Sequence, residues 1–92
     1  DRIAAMSAEL SKLGCRTRYY GGNFEVMPPS RLEKRARLSG WNDHRVVMAL
    51  SALCASLGVE CEISGYEAVK KSYPTFFTDL VRNGAEVGVV ER

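Results

Sequence analysis

The sequence predicts an α+β (mixed α/β) fold, with two or three helices packed on one face of a mixed sheet. Three observations point there. Apolar residues recur at helical spacing in three segments, and short or alternating apolar runs lie between them. Each helical segment also ends on a glycine followed by a strand-like run, at Leu13-Gly14-Cys15, Leu57-Gly58-Val59 and Asn83-Gly84-Ala85. The unequal spacing of these junctions argues against a solenoid repeat.

Ile3, Met6, Leu10 and Leu13 place the first helix over residues 2–13, and Gly14 sits where a left-handed cap would close it. Residues 16–20 and 24–27 read as two antiparallel strands, because Gly21-Gly22-Asn23 can adopt the positive φ angles of a tight hairpin. Pro28-Pro29 ends the second strand. Residues 31–38 mix basic and apolar side chains as an extended strand or a poor helix would, and the extended form is the better fit.

Val46, Val47, Leu50, Leu53, Cys54 and Leu57 form one apolar stripe, the clearest helix of the chain, with Asn42 or Asp43 as its cap and Gly58 as its end. Val59, Cys61 and Ile63 then alternate with Glu60 and Glu62, the pattern of a strand with one buried face. Ser72-Tyr73-Pro74 opens a third helix whose core face is Phe76, Phe77, Leu80 and Val81. Gly84 closes it, and residues 86–90 make a last strand.

Composition limits the function. Hydrophobic residues at 46% and charged residues at 26% describe a chain that folds around a core, and 92 residues allow one small domain or part of one. A net charge of +2 does not by itself imply a nucleic-acid or membrane partner. No signal-peptide pattern opens the chain, and no apolar run approaches the roughly 18 residues that span a bilayer. Cys15, Cys54 and Cys61 are odd in number, lack metal-ligand spacing and lie in apolar segments, so they read as buried free thiols of a reducing, cytoplasmic compartment. The chain begins at Asp1, without Met, inside a helical pattern, as an excised or cleaved piece of a larger enzyme would.

Cations at helix starts are the feature that carries chemistry. Asn42-Asp43-His44-Arg45 puts two potential cations where the macrodipole disfavours them unless an anion is present, although a plain Asp43 cap with solvated neighbours has the same sequence. Lys70-Lys71 before Ser72-Tyr73-Pro74 repeats the arrangement, and Asp1-Arg2 is a third case. A phosphate or carboxylate is the ligand these groups suit. The basic stretch Arg31, Lys34, Arg35 and Arg37 lacks interleaved aromatics and reads as a solvated strand face rather than a nucleic-acid surface. His44 is the single histidine, and no partners are spaced to complete a metal site around it. Trp41 reads as a packing residue, and Glu60, Glu62 and Glu67 as structural carboxylates.

Asp1-Arg2-Ile3-Ala4-Ala5-Met6, the Leu-Gly helix end, Asn42-Asp43-His44-Arg45 and Lys71-Ser72-Tyr73-Pro74 with Phe77 together resemble the C-terminal part of the 3-phosphoshikimate 1-carboxyvinyltransferase family of the shikimate pathway. The related transferase acting on UDP-N-acetylglucosamine shares the fold but lacks the Asp-His-Arg and Lys-Ser-Tyr-Pro pair. The resemblance implies a βαβαββ-type unit, residues 1–92 forming a single C-terminal segment of a larger two-domain enolpyruvyl transferase. It implies transfer of the enolpyruvyl group of phosphoenolpyruvate to shikimate 3-phosphate with release of phosphate, in aromatic amino acid biosynthesis, without metal or organic cofactor.

Carried over by position, Arg2, Arg45 and Lys71 look like phosphoenolpyruvate ligands, and His44 would line the same site as an orienting or proton-handling catalytic group. The family implies a monomeric full-length enzyme, no nucleic acid and no membrane. Val46-Val47 departs from the usual Met-Ala after the triplet. The family's main acid/base residues fall outside this chain, so the segment alone is expected to be inactive. A stand-alone anion- or nucleic-acid-binding module is the alternative.

Overall fold

Each of the three glycine junctions terminates a helix in the structure, a computed structural model that describes residues 1–90. Helix α1 spans Arg2–Lys12. The Asp1 carboxylate accepts from the Ile3 N–H at 2.9 Å and the Ala4 N–H at 3.4 Å, filling donors that a first turn leaves open. Beyond the helix, Gly14 takes φ 98° and the Cys15 N–H returns to the Leu10 carbonyl at 3.1 Å, which closes the last turn.

Strands β1 (Arg16–Tyr20) and β2 (Asn23–Met27) pair antiparallel with Tyr20 opposite Asn23. Gly21 and Gly22, at φ 53° and 80°, make a two-residue turn whose twist suits a hairpin, so Asn23 belongs to the strand. The Thr17 hydroxyl, bonded to the Ser7 hydroxyl at 2.9 Å, ties the hairpin to α1.

Strand β3 (Arg35–Ser39) occupies the later part of the stretch expected to be extended, and α2 (His44–Leu57) follows, then β4 (Glu60–Ser64). Asp43 resolves the choice of cap: its carboxylate accepts from the N–H groups of Arg45 at 2.9 Å and Val46 at 3.4 Å. Gly58, at φ 70°, ends the helix. β3 and β4 pair in parallel, which requires a crossover, and α2 supplies it.

The β3–β4 ribbon has two unlike faces. Ala36, Leu38, Cys61 and Ile63 turn towards the core, where they meet Ala5, Leu10 and Leu13 of the α1 segment and Val46, Leu50 and Cys54 of α2. On the other face Arg35 pairs with Glu60 at 3.4 Å and Arg37 with Glu62 at 3.5 Å. The strand alternation and the solvated basic face read from the sequence are both present.

Four expectations are corrected. The strands divide between two separate two-stranded sheets, one antiparallel and one parallel, where one mixed sheet was expected. Pro28 and Pro29, which have no N–H to offer, separate β2 from β3. Residues 86–90 form no strand and pair with none of the four described strands. The third helix opens late: Tyr66–Lys71 first form a 3₁₀ helix, η1, that ends at Ser72, and α3 is Phe76–Arg82. The Ser72 and Tyr73 N–H groups both donate to the Val69 carbonyl, at 3.2 and 2.9 Å, so the chain is still closing η1 where α3 was expected to open. Leu57 is solvent-exposed at the end of α2 rather than part of its buried stripe. Among the described residues no helix is long and apolar enough to cross a membrane.

Candidate anion-binding site

Two helix starts meet in this structure. Arg2 is the first residue of α1, and His44 and Arg45 are the first two of α2. Arg2 Nε donates to Asp43 Oδ2 at 2.8 Å, so the cap of the second helix also anchors the guanidinium of the first. The recorded bond uses Nε alone, which leaves the Nη groups of Arg2 for a ligand.

Asp43 works against its own partial burial, which favours the neutral acid. The hydrogen bonds from the Arg45 N–H, from Arg2 and from the Val46 N–H, with the charge of Arg2, outweigh it and hold the carboxyl below its ordinary range. An ionised Asp43 therefore stands at the centre of the site at neutral pH. It occupies the Arg45 and Val46 amides, as Asp1 occupies those of Ile3 and Ala4. Two of the first amides of each helix are thus taken, and the side chains are the main donors the site offers an anion.

Arg45 is exposed and His44 half-buried. Among the described residues neither Arg45 nor Lys71 has an acidic partner, whereas Arg18, Arg35, Arg37 and Arg82 each do. Arg45 follows the Asp43 cap that holds Arg2, so spare positive charge stands beside an already paired arginine. Lys71 corrects one expectation. It does not precede a helix but is the last residue of η1, a 3₁₀ helix that packs against α2, where a cation complements the helix end. Lys70 lies over the Tyr66 ring at 5.9 Å. No bond joins the Lys71 side chain to Arg2 or Arg45.

The turn into α2 involves residues that sequence reasoning passed over. Glu9, only 1% exposed, accepts from the Ser39 N–H at 2.7 Å through Oε1 and from the Trp41 indole Nε1–H at 2.9 Å through Oε2. Lys12 Nζ adds a third bond at 2.8 Å. Burial alone would raise the Glu9 pKa, but these donors together bring it below the ordinary value. The signal was present in the sequence as a carboxylate between Ala5 and Leu13, on a stripe that is otherwise apolar. Gly40 is the second such residue. A Cβ there would meet the Val47 side chain and stand 2.5 Å from the Ser64 carbonyl oxygen.

A concavity lined in part by Cys61, Ile63, Phe77, Leu80 and Val87 lies elsewhere and contains none of Arg2, His44, Arg45 or Lys71. Among the described residues no group of three or more His, Cys, Asp or Glu side chains converges as metal ligands would.

Comparison with known proteins gives this surface its context. The family described as EPSP synthase (3-phosphoshikimate 1-carboxyvinyltransferase) matches residues 1–80. A 3-phosphoshikimate 1-carboxyvinyltransferase of Clostridium acetobutylicum is 37% identical over 87 residues, which are 95% of this chain and 20% of that protein. Its namesake in Pyrococcus furiosus is 39% identical over 82 residues, 89% of this chain and 20% of that protein. That of Aeropyrum pernix is 37% identical over 93 residues, 99% of this chain and 21% of that protein. The chain thus spans about a fifth of the length of the curated relatives it matches. The match runs through Arg2, the Asp43-His44-Arg45 cap and Lys71 alike, and by it the chain belongs to the EPSP synthase (3-phosphoshikimate 1-carboxyvinyltransferase) family.

Proposed function

We propose that the chain is a single segment of an enolpyruvyl transferase domain, and that the full-length protein moves the enolpyruvyl group of phosphoenolpyruvate to shikimate 3-phosphate in the cytoplasm. This segment contributes Arg2, Arg45 and Lys71 to the phosphate and carboxylate of phosphoenolpyruvate, with His44 lining the same site. The observation that carries the proposal is the Arg2–Asp43 bond at 2.8 Å, which sets one arginine beside the helix start that bears the other.

The chemistry asks for such groups. Phosphoenolpyruvate carries a phosphate and a carboxylate, and in addition followed by elimination the departing phosphate gains charge as its bond to carbon breaks. Cations already in place stabilise that charge without reorganising, and an arginine fork fixes the pose of the anion better than a lysine does. The exposed Arg45 and Lys71, with no acidic partner among the described residues, keep their charge for the ligand. Nothing favours a nucleic-acid module, since Arg35 and Arg37 are already matched to Glu60 and Glu62.

Substitution in the full-length enzyme tests the division of labour. Arg45→Ala and Lys71→Ala should each raise KM for phosphoenolpyruvate on the order of tenfold to a hundredfold, the worth of a charge-assisted hydrogen bond, and leave shikimate 3-phosphate binding within about twofold. Equal losses for both substrates would contradict the assignment.

A further inference from the structure

Glu9 is a carboxylate taken out of water and given to a turn. Withdrawing a charge from solvent is costly unless hydrogen bonds replace its hydration. Here the replacing donors include two from the segment that leads into α2: the Ser39 N–H and the Trp41 indole. The turn between them is unusual. Trp41 and Asn42 both hold positive φ, at 55° and 50°, where a residue with a Cβ is disfavoured. The Asp43 N–H closes the turn on the Gly40 carbonyl at 3.0 Å. Two successive left-handed residues, neither of them glycine, persist only where the surroundings hold them.

Glu9 holds this turn from two sides, at Ser39 before it and at Trp41 within it. The indole ring itself is 52% exposed, so packing alone does not fix it; its Nε1–H does. Glu9 also lies seven residues, two helical turns, beyond Arg2, which places both side chains on one stripe of α1. Arg2 grips Asp43 and Glu9 grips Trp41, so a single helix face holds the turn at both ends.

We propose that Glu9 is a positioning residue for the anion site: through Ser39 and Trp41 it fixes the left-handed turn that aims Asp43, His44 and Arg45 beside Arg2. The proposal rests on the assignment of Arg2, Arg45 and Lys71 to phosphoenolpyruvate. A carboxylate suits the role because both of its oxygens accept, whereas a carboxamide must turn its NH₂ towards one of the two donors.

The test uses the full-length enzyme. Glu9→Gln keeps the side-chain shape and should raise KM for phosphoenolpyruvate about tenfold, with KM for shikimate 3-phosphate changed less than about twofold. Trp41→Phe removes one donor from a half-exposed ring and should raise the same KM by a smaller factor. The double variant should be no worse than Glu9→Gln alone, because both changes open one latch. A Glu9→Gln enzyme with a lowered thermal midpoint but unaltered KM for phosphoenolpyruvate would overturn the proposal, leaving Glu9 a role in stability only. If Glu9→Gln does not fold, Trp41→Phe decides, and an unchanged KM there overturns it as well. Arg45→Ala, measured alongside, separates two failures. If it raises KM for phosphoenolpyruvate and Glu9→Gln does not, the positioning role alone is wrong; if it has no effect, the anion site is wrongly assigned and the positioning role falls with it.

Discussion

Arg2 Nε donates to Asp43 Oδ2 at 2.8 Å across 41 positions of sequence, and the same Asp43 caps α2. One carboxylate therefore does two separable jobs. Its charge orients Arg2, and its oxygen satisfies the first turn of the helix that carries His44 and Arg45.

Asparagine separates those jobs, because it caps a helix nearly as well as aspartate but carries no charge. Asp43→Asn should keep the cap and lower the thermal midpoint only by the share that the charge contributes, while raising KM for phosphoenolpyruvate about tenfold, the order expected when a cation loses its orienting partner. Asp43→Ala should do the same and also lower the midpoint by about 2 to 4 °C through loss of the cap. Thermal scans and steady-state kinetics on both variants check this.

Stability should depend on pH in a stated direction. Asp43 and Glu9 both sit below their ordinary values of 3.8 and 4.5 in the folded chain. A carboxyl whose folded pKa is lowered contributes stability that is complete above its unfolded pKa and is lost as pH falls through the folded one. The thermal midpoint should therefore stay flat from neutrality to about pH 5 and then fall below about pH 4. Glu9→Gln should show a shallower fall, measured by calorimetry between pH 7 and 2.

Gly40 marks the close approach of α2 to the end of β4. Its N–H donates to the Ser64 carbonyl at 2.8 Å, and an added Cβ would stand 2.5 Å from that same oxygen. Gly40→Ala should cost about 1 to 3 kcal/mol, the usual penalty of overpacking. Denaturant unfolding reads the loss directly.

The thiols of Cys54 and Cys61 should differ in reactivity. Interaction between the two thiols lowers the Cys61 pKa, while that interaction and then burial push the Cys54 thiol up. Thiolate is the reactive form, and Cys61 is also the less buried of the two. Alkylation of the folded protein at pH 8, followed by mass spectrometry of the peptides, should label Cys61 well before Cys54. Equal rates would count against this difference.

Much of the fold was legible because it depends on neighbours a few residues apart. The apolar stripe of 46–54, the Gly58 end and the Gly21-Gly22 turn are set by helical spacing and backbone freedom, and the structure has them where local rules put them. The start of α3 escaped those rules because η1 runs up to Lys71, a short element with no apolar periodicity to announce it. The expected strand at 86–90 failed because composition does not decide pairing: its residues suit a strand, yet they pair with none of the described strands.

The candidate site divides along the same line. Sequence alone determined that Arg2, His44 and Arg45 stand in the first turns of helices, because helical spacing is decided within a few residues, while the choice of Asp43 over Asn42 as cap was left to the structure. Tertiary structure decided that the two starts touch through Asp43, that Lys71 closes a 3₁₀ helix instead of opening an α-helix, and that Glu9 reaches across to Ser39 and Trp41. Each of these depends on which distant groups the folded backbone brings within hydrogen-bonding distance, and no local periodicity records that.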